Sequence, residues 1–297
     1  MGFANYNAYI NAATVLKQRK KVPVIRTINT GATSAAGRWH ETMSPAAGTG
    51  GAMTLTGTAG AGIVCNGSTN GRIPIGADVG GSYTRHLTGM TVYSPSTTLA
   101  PATVMLVDII HIYPSLVMVT TPSTLSNHPT WTGTGDTRMT SAEGVMASML
   151  LTTASSAAGQ MTLTYLDQAG NSQAQSGSLF SPVAAHPAGA FFGSVPVSAT
   201  PGPIEMQFAT GDTGVQRVSS YAINASATGG TGCIVLYRPI ASVPILAANQ
   251  PTAWDFTQGP DAFPRIYDDA CLALLVNIGG ALTTNQVIKV DLDIAWG

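Results

Sequence analysis

The stretch Thr140–Ser172 reads TSAEGVMASMLLTTASSAAGQMTLTYLDQAGNS. Val145–Thr153 is an apolar run of residues that suit a buried strand. Met161–Leu166 alternates Met/Thr/Leu/Thr/Tyr/Leu, so Met161, Leu163 and Tyr165 share one face and Thr162 and Thr164 the other. Ala154–Gln160 is a small-residue turn segment, and Asp167–Asn171 closes the second run with turn formers. The expectation is two strands folded back on each other, forming a sandwich wall that is wet on one side. Nothing in the stretch is built to do chemistry.

Outward from there the same grammar repeats. Ala102–Tyr113 is the most hydrophobic strand; alternation puts Asp108, Ile110 and Ile112 on one face and Ile109, His111 and Tyr113 on the other. That parity argues against an acid/base dyad of Asp108 with His111. Downstream come a short edge strand at Ser194–Ala199 containing Pro196, a turn at Pro201–Pro203, an alternating Ile204–Ala209 and a return strand Val215–Ala225. Cys233–Arg238 reads as a core strand, the section from Pro239 has Pro244, Pro251, Trp254 and Pro264 in an irregular stretch, and Cys271–Ile278 is apolar again. In Val287–Ile294, Ile288, Val290, Leu292 and Ile294 face the core and Lys289, Asp291 and Asp293 face water. Strands at a spacing of about ten residues, separated by turn clusters, mark a mainly β protein: an antiparallel β-sandwich or jelly-roll. The best helix candidate is Phe3–Leu16, where Phe3, Tyr6, Ile10, Ala13 and Leu16 fall near a 3.6-residue period. The expected organisation is an N-terminal helix or arm over residues 1–30 and a β domain over residues 31–297, with a possible subregion at residues 240–297.

Charge is scarce. Only 9% of the 297 residues are charged and the net charge is −1, where ordinary soluble domains carry about 25%. A monomer usually keeps itself soluble with dispersed charge, so this skin of Ala, Gly, Ser and Thr suits a surface covered by neighbours. No global field recruits nucleic acid, and no run approaches the length of a membrane span. What charge there is sits asymmetrically. The first forty residues hold six bases and no acid, and Pro239–Gly297 holds six acids against two bases. Lys17, Arg19, Lys20, Lys21 and Arg26 therefore form the candidate contact cluster, an arm reaching an acidic neighbour; a solvated helix C-terminus is the plainer reading. The two oppositely charged ends either set the polarity of a head-to-tail contact or neutralise each other within one fold.

Chemistry-bearing patterns are missing. GTGGAMTLTGTAGAG lacks the Gly-Lys-Ser/Thr ending of a phosphate loop. Trp39 and His40 read as a packed Trp beside a hydrogen-bonded His. The pair Asp268-Asp269 lacks the oxygen-rich loop that Ca²⁺ requires. Cys65, Cys233 and Cys271 are far apart, with no CxxC, and Cys233 and Cys271 lie in apolar runs as buried thiols. The expectation is no enzyme, no cofactor and no metal site.

Several phrases resemble one family. RMTSAEGVMASMLL…TYLDQAGN, GDTGVQRVSSYAINAS from Gly211, GRWHETMSPAAG (Gly37–Gly48) and VDIIHIYP (Val107–Pro114) are similar to a family of structural proteins of tailed bacteriophages, over roughly residues 35–240. The resemblance implies a virion component assembled in the host cytoplasm and supplies no catalytic motif. With the composition, it leads to a capsid decoration (cement) protein, a homo-oligomer (trimer or dimer) whose partners are the major capsid protein and copies of itself. The alternatives are a tail tube, baseplate or adaptor subunit, and then a receptor-binding fibre module.

Overall fold

The computed structural model of the chain describes residue 3 and residues 6–30, 37–76, 83–117, 123–132, 138–154, 161–174, 188–192, 206, 208–223, 230–258, 262–282 and 284–297. Among them sixteen strands, numbered in chain order, sort into three sheets. The largest holds β2 (Arg38–Glu41), β3 (Ile63–Val64), β5 (Ala102–Val117), β7 (Met146–Leu151), β10 (Ala190–Phe192), β12 (Thr231–Ile245) and β15 (Leu272–Ile278). The second holds β1 (Arg19–Thr27), β4 (Arg85–Tyr93), β13 (Thr252–Asp255), β14 (Arg265–Ile266) and β16 (Val287–Trp296). The third holds β6 (Ser123–Thr124), β8 (Met161–Asp167), β9 (Ser172–Ala174) and β11 (Val215–Ile223). All their pairings are antiparallel. The mainly β, antiparallel fold with a small N-terminal helix is as the sequence implies.

The largest sheet closes on itself. β5 pairs β12, β12 pairs β7, β7 pairs β10, β10 pairs β2, β2 pairs β15, and β15 returns to β5. Closure pairs each strand of the ring with two neighbours, although β12 beyond Tyr237 keeps only β5. Inside it pack Val107, Ile109 and Ile112 of β5, Leu150 of β7, Phe191 of β10, Val235 and Tyr237 of β12, and Ala273 and Leu275 of β15. The glycine-rich segment after β2 supplies Met43, Met53, Leu55 and Cys65 to the same cluster. Met53 and Leu55 thus fill the barrel from an extended segment that belongs to no strand, although MTLT reads as a short one.

Two layers cover the barrel's outside. The second sheet lays Val22, Val24, Met90, Val92, Ile288 and Leu292 over Val104, Leu106, Leu274 and Val276. The third lays Met161, Leu163, Tyr165, Val218 and Tyr221 over Tyr113, Met149, Ile234 and Leu236. β5 and β12 therefore contribute to every cluster. A strand lining a barrel on one face and a second layer on the other is buried on both. That is why Ala102–Tyr113 reads as nearly continuous apolar sequence.

Several expectations change. β7 and β8 do not form a hairpin: β7 pairs β10 and β12, β8 pairs β9 and β11, and the two face each other across a core. The cause is that Ser148 and Leu150 are buried as well as Ala147, Met149 and Leu151. β7 therefore needs a cover on both faces, which a wet-backed hairpin cannot give. β12 runs past Arg238 through Pro239 and Pro244, which is tolerable because its pairing with β7 ends at Tyr237↔Met146 and only β5 flanks it beyond. In β5 the register slips at Ile110, since Leu236 opposes His111 and Tyr237 opposes Ile109; strict alternation fails there. The helix is an α turn, Tyr6–Ile10, followed by a π turn, Asn11–Val15. The expected strand at Ser194–Ala199, the Pro201–Pro203 turn and most of the Ala154–Gln160 turn lie outside the described residues.

Candidate interaction surface

β1 pairs with β16 along its whole length, from Arg19↔Ala295 to Thr27↔Val287. Val22 and Val24 point into the core, and the alternate residues carry the charge outward. Arg19 meets Asp293 at 3.3 Å and Lys21 meets Asp291 at 3.3 Å. The basic start and the acidic end therefore neutralise each other within one chain. These pairs are largely solvated, so each stabilises the fold by at most about 1 kcal/mol. Lys20 Nζ donates to Ile75 O at 3.3 Å, and Lys17 is exposed at the end of the helical segment with a left-handed φ of 54°.

Arg26 departs from the expected cluster. It is buried, with its guanidinium donating to the backbone oxygens of Gly51 and Gly71. Burial lowers its pKa, against which Glu41 acts. An arginine committed to two internal carbonyls ties down the glycine-rich loop and is not offered to a neighbour.

Several other ionisable groups in the interior meet local partners, while Asp108 Oδ2, His40 Nε2 and both His111 ring nitrogens are buried without a hydrogen bond. Arg138 donates to Asp108 Oδ1 at 2.5 Å, to Ile109 O at 3.3 Å and to Cys65 O, and its Nε lies 3.3 Å from Asp269 Oδ2. Asp108 Oδ1 also accepts the Cys271 N–H at 2.8 Å. Burial outweighs the arginine and pushes the Asp108 carboxyl up to about 6. Asp268 pairs with Arg85 at 3.8 Å, so the adjacent acids Asp268 and Asp269 are each engaged by a different arginine. Glu41 is fully buried; its carboxylate accepts Asn29 Nδ2 at 2.7 Å, Ser44 N at 2.7 Å, the Met43 N–H and the Ser44 hydroxyl. Burial raises its pKa, and those four donors oppose the rise.

His40 is buried with Nδ1 at 2.8 Å from Asn29 O, and burial depresses it to about 4. Trp39 beside it packs against the barrel interior. His111, also depressed to about 4 by burial, meets the Tyr113 ring edge-on at 4.7 Å. Cys65, Cys233 and Cys271 are free, buried thiols of the barrel cluster, and burial pushes Cys233 up to about 12. Burial holds these groups in the core, and Glu41 with Asn29 and Ser44 also lines a pocket of about 360 Å³. Among the described residues no cluster of three or more His, Cys, Asp or Glu is placed to hold a metal. No helix among them is long and apolar enough to cross a membrane.

No protein-family model and no curated protein matches the chain. Among solved structures, it is similar to VP1 of trichodysplasia spinulosa-associated polyomavirus, at 10% identity over 94% of this chain and 95% of that one, with a TM-score of 0.25. It is also similar to a chain of infectious bursal disease virus, Gt strain, at 9% identity over 94% and 81%, with a TM-score of 0.18. The VP1 pentamer of human polyomavirus 6 follows at 11% identity over 94% of both chains, with a TM-score of 0.17. At these scores the likeness carries no argument about fold or function.

Among the described residues several large apolar side chains are exposed. Tyr6, Ile10, Val15 and Leu16 are exposed on the N-terminal helical segment, and Leu246 and Trp254 are exposed beyond the barrel. Tyr6, Ile10 and Leu16 belong to the 3.6-residue period of the N-terminal segment, and Trp254 lies in the Pro-rich irregular stretch of the sequence. Apolar periodicity reports that a face wants cover and does not say whether the cover lies in the same chain.

Proposed function

We propose that this chain is a structural subunit of a virus particle, a decoration (cement) protein on the head of a tailed bacteriophage. The observation that carries the reading is the surface. With 13 basic and 14 acidic residues in 297, the chain uses several charges in internal or intramolecular pairs. Little is left for a solvating skin, and exposed Val15, Leu246 and Trp254 sit in what remains. A surface of that kind suits burial against a lattice and sister copies, over an interface of conventional size or larger. Its partners would be the major capsid protein and copies of itself, in a dimer or trimer, and the bridged capsomers would resist internal pressure. The phage-like phrases GRWHETMSPAAG and VDIIHIYP support the same class. Lys17, Arg19, Lys20 and Lys21 would form the rim of the contact with the particle; Arg26 is internal.

The test is location and copy number. Labelled protein added to undecorated particles is expected to co-sediment with them in hundreds of copies, spread over the head. Six copies or a multiple of six at one vertex would move the assignment to the tail, and a few at the tail tip to receptor binding. Failure to co-sediment with any particle would remove the reading. Charge reversal at Lys17, Arg19, Lys20 and Lys21 is expected to reduce incorporation.

A further inference from the structure

β5 carries β12 along one edge from Ala102 to Val117, so its other partners share the opposite edge. There β3 pairs at His111 and Ile112, and β15 pairs from Asp108 to Ala102. Both run antiparallel to β5 and therefore lie end to end along it. β3 ends at Val64 and β15 begins at Leu272, which brings Cys65 and Cys271 to the two sides of the gap between them. The register slip of β5 falls in this gap, at Ile110. The Cys65 N–H donates to Ile110 O at 3.1 Å, and Cys271 O accepts the Ile109 N–H at 2.9 Å. Two cysteines far apart in sequence are thus pinned to adjacent residues of one strand.

Further contacts fix both main chains. Arg138 donates to Cys65 O and to Asp108 Oδ1, and the same Asp108 oxygen accepts the Cys271 N–H at 2.8 Å. Beside them a Cβ on Gly67 would stand 3.3 Å from Asp269 Cα, so the two segments pack backbone against backbone. Both side chains enter the barrel cluster. There the Cys271 thiol hydrogen-bonds to that of Cys65, and this contact, with burial, raises the Cys65 pKa. Cys233 is committed elsewhere: its Sγ donates to Leu55 O at 3.3 Å. All three cysteines of the chain are buried, so none is offered to a thiol of another molecule.

We propose that Cys65 and Cys271 are a latent disulfide, closed after folding by a hydroperoxide small enough to enter the barrel. In the first step one sulfur attacks a peroxide oxygen, the O–O bond breaks, and a sulfenic acid and one water form. In the second the other sulfur attacks the sulfenic sulfur, the S–O bond breaks, the S–S bond forms and a second water leaves with the remaining thiol proton. Two thiols lose two electrons and one hydrogen peroxide is reduced to two waters. Burial keeps the thiolate scarce, so the first step is slow; the second is fast because the partner thiol is already in contact. The bond staples the segment after β3 to the start of β15 at the middle of the barrel, closing a long loop of the kind whose cross-linking restricts the unfolded chain most. A reducing compartment keeps the dithiol, and an oxidising one adds a lock to a chain already folded. The inference concerns one copy of the chain and stands apart from its place on any particle.

The experiment treats the purified full chain with hydrogen peroxide at mildly alkaline pH, alkylates the remaining thiols in denaturant, and maps the peptides by mass spectrometry without reduction. The expected product is a monomer lighter by two hydrogen atoms, with the Cys65 and Cys271 peptides linked and Cys233 alkylated. Closure is expected to raise the folding equilibrium constant by about thirtyfold or more in a urea titration, and dithiothreitol to reverse the gain. Cys65→Ala and Cys271→Ala should each abolish the link and the gain, and Cys233→Ala should keep both. Should an alanine variant fail to fold, the map of the parent chain decides alone. Three alkylated thiols after treatment, a link that includes Cys233, a link between chains, or sulfinic acid at Cys65 in place of a link would each overturn the proposal. So would a closed form no more stable than the dithiol.

Discussion

Arg138 does more for this fold than its place in a polar loop suggests. Its guanidinium joins β5, the segment after β3 and the approach to β15 through Asp108, Cys65 O and Asp269. Replacing it with Met strands Asp108 in the interior, and the expected loss is about 3–5 kcal/mol in a urea titration. Removing both charges, as Arg138→Met with Asp108→Leu, is expected to recover most of that; a double variant as unstable as the sum of the singles would mean the pair is not the source. Protonation gives a second test. His40 and His111 are depressed to about 4, so the unfolded chain binds their protons first and their contribution, fully present above about pH 6.5, is lost as pH falls towards 4. Asp108 acts oppositely: raised to about 6, it favours the fold more as pH falls through 6. Two histidines moved further than one aspartate decide the sign, so the melting temperature is expected to drop between pH 6.5 and 4. A His40→Gln/His111→Gln variant should flatten the drop. A melting temperature that rose on acidification would show that Asp108 and Glu41 dominate.

β1 shows how an apparently separable segment becomes structural. A basic run after a helix reads as an arm, yet Val22 and Val24 sit in the core and every residue from Arg19 to Thr27 has a partner on β16. A variant lacking residues 1–27 would uncover Ile288, Val290 and Leu292. The expected outcome is insoluble or non-cooperative protein rather than a folded domain without its arm, read by solubility and a thermal melt. Retention of the parental melt would make the segment an arm after all. By contrast, exchanging Lys21 and Asp291 preserves an exposed pair and is expected to change stability by less than about 1 kcal/mol. The inward face of β16 was legible because one face is wet and the period of two is clean. β5 and β7 were legible as strands and not as partners, because a run apolar on both faces no longer records which neighbour covers which side.

The three hydrophobic clusters share β5 and β12. Neither outer layer can lose its cover without exposing a barrel wall that the other layer and the interior also use. Calorimetry of the full chain is therefore expected to give one transition with matching calorimetric and van't Hoff enthalpies, despite a length at which chains often divide into separate domains. Two resolved transitions would mean that a layer unfolds alone. The low charge has its own consequence: without dispersed like charge to keep copies apart, self-association should be only weakly sensitive to salt.

The antiparallel β class, the wet and dry faces of β8 and β16, the buried thiols and the shortage of surface charge all follow from local alternation and composition, which every short window of the chain records. The closed ring, the placing of β7 and β8 in different sheets, the burial of Arg26 and the ion pairs between the chain's two ends do not. Each depends on contacts between residues far apart in the chain, such as Lys21 with Asp291 or Arg138 with Asp108. A one-dimensional pattern shows that a side chain needs a partner; the folded arrangement of sheets determines which one it meets.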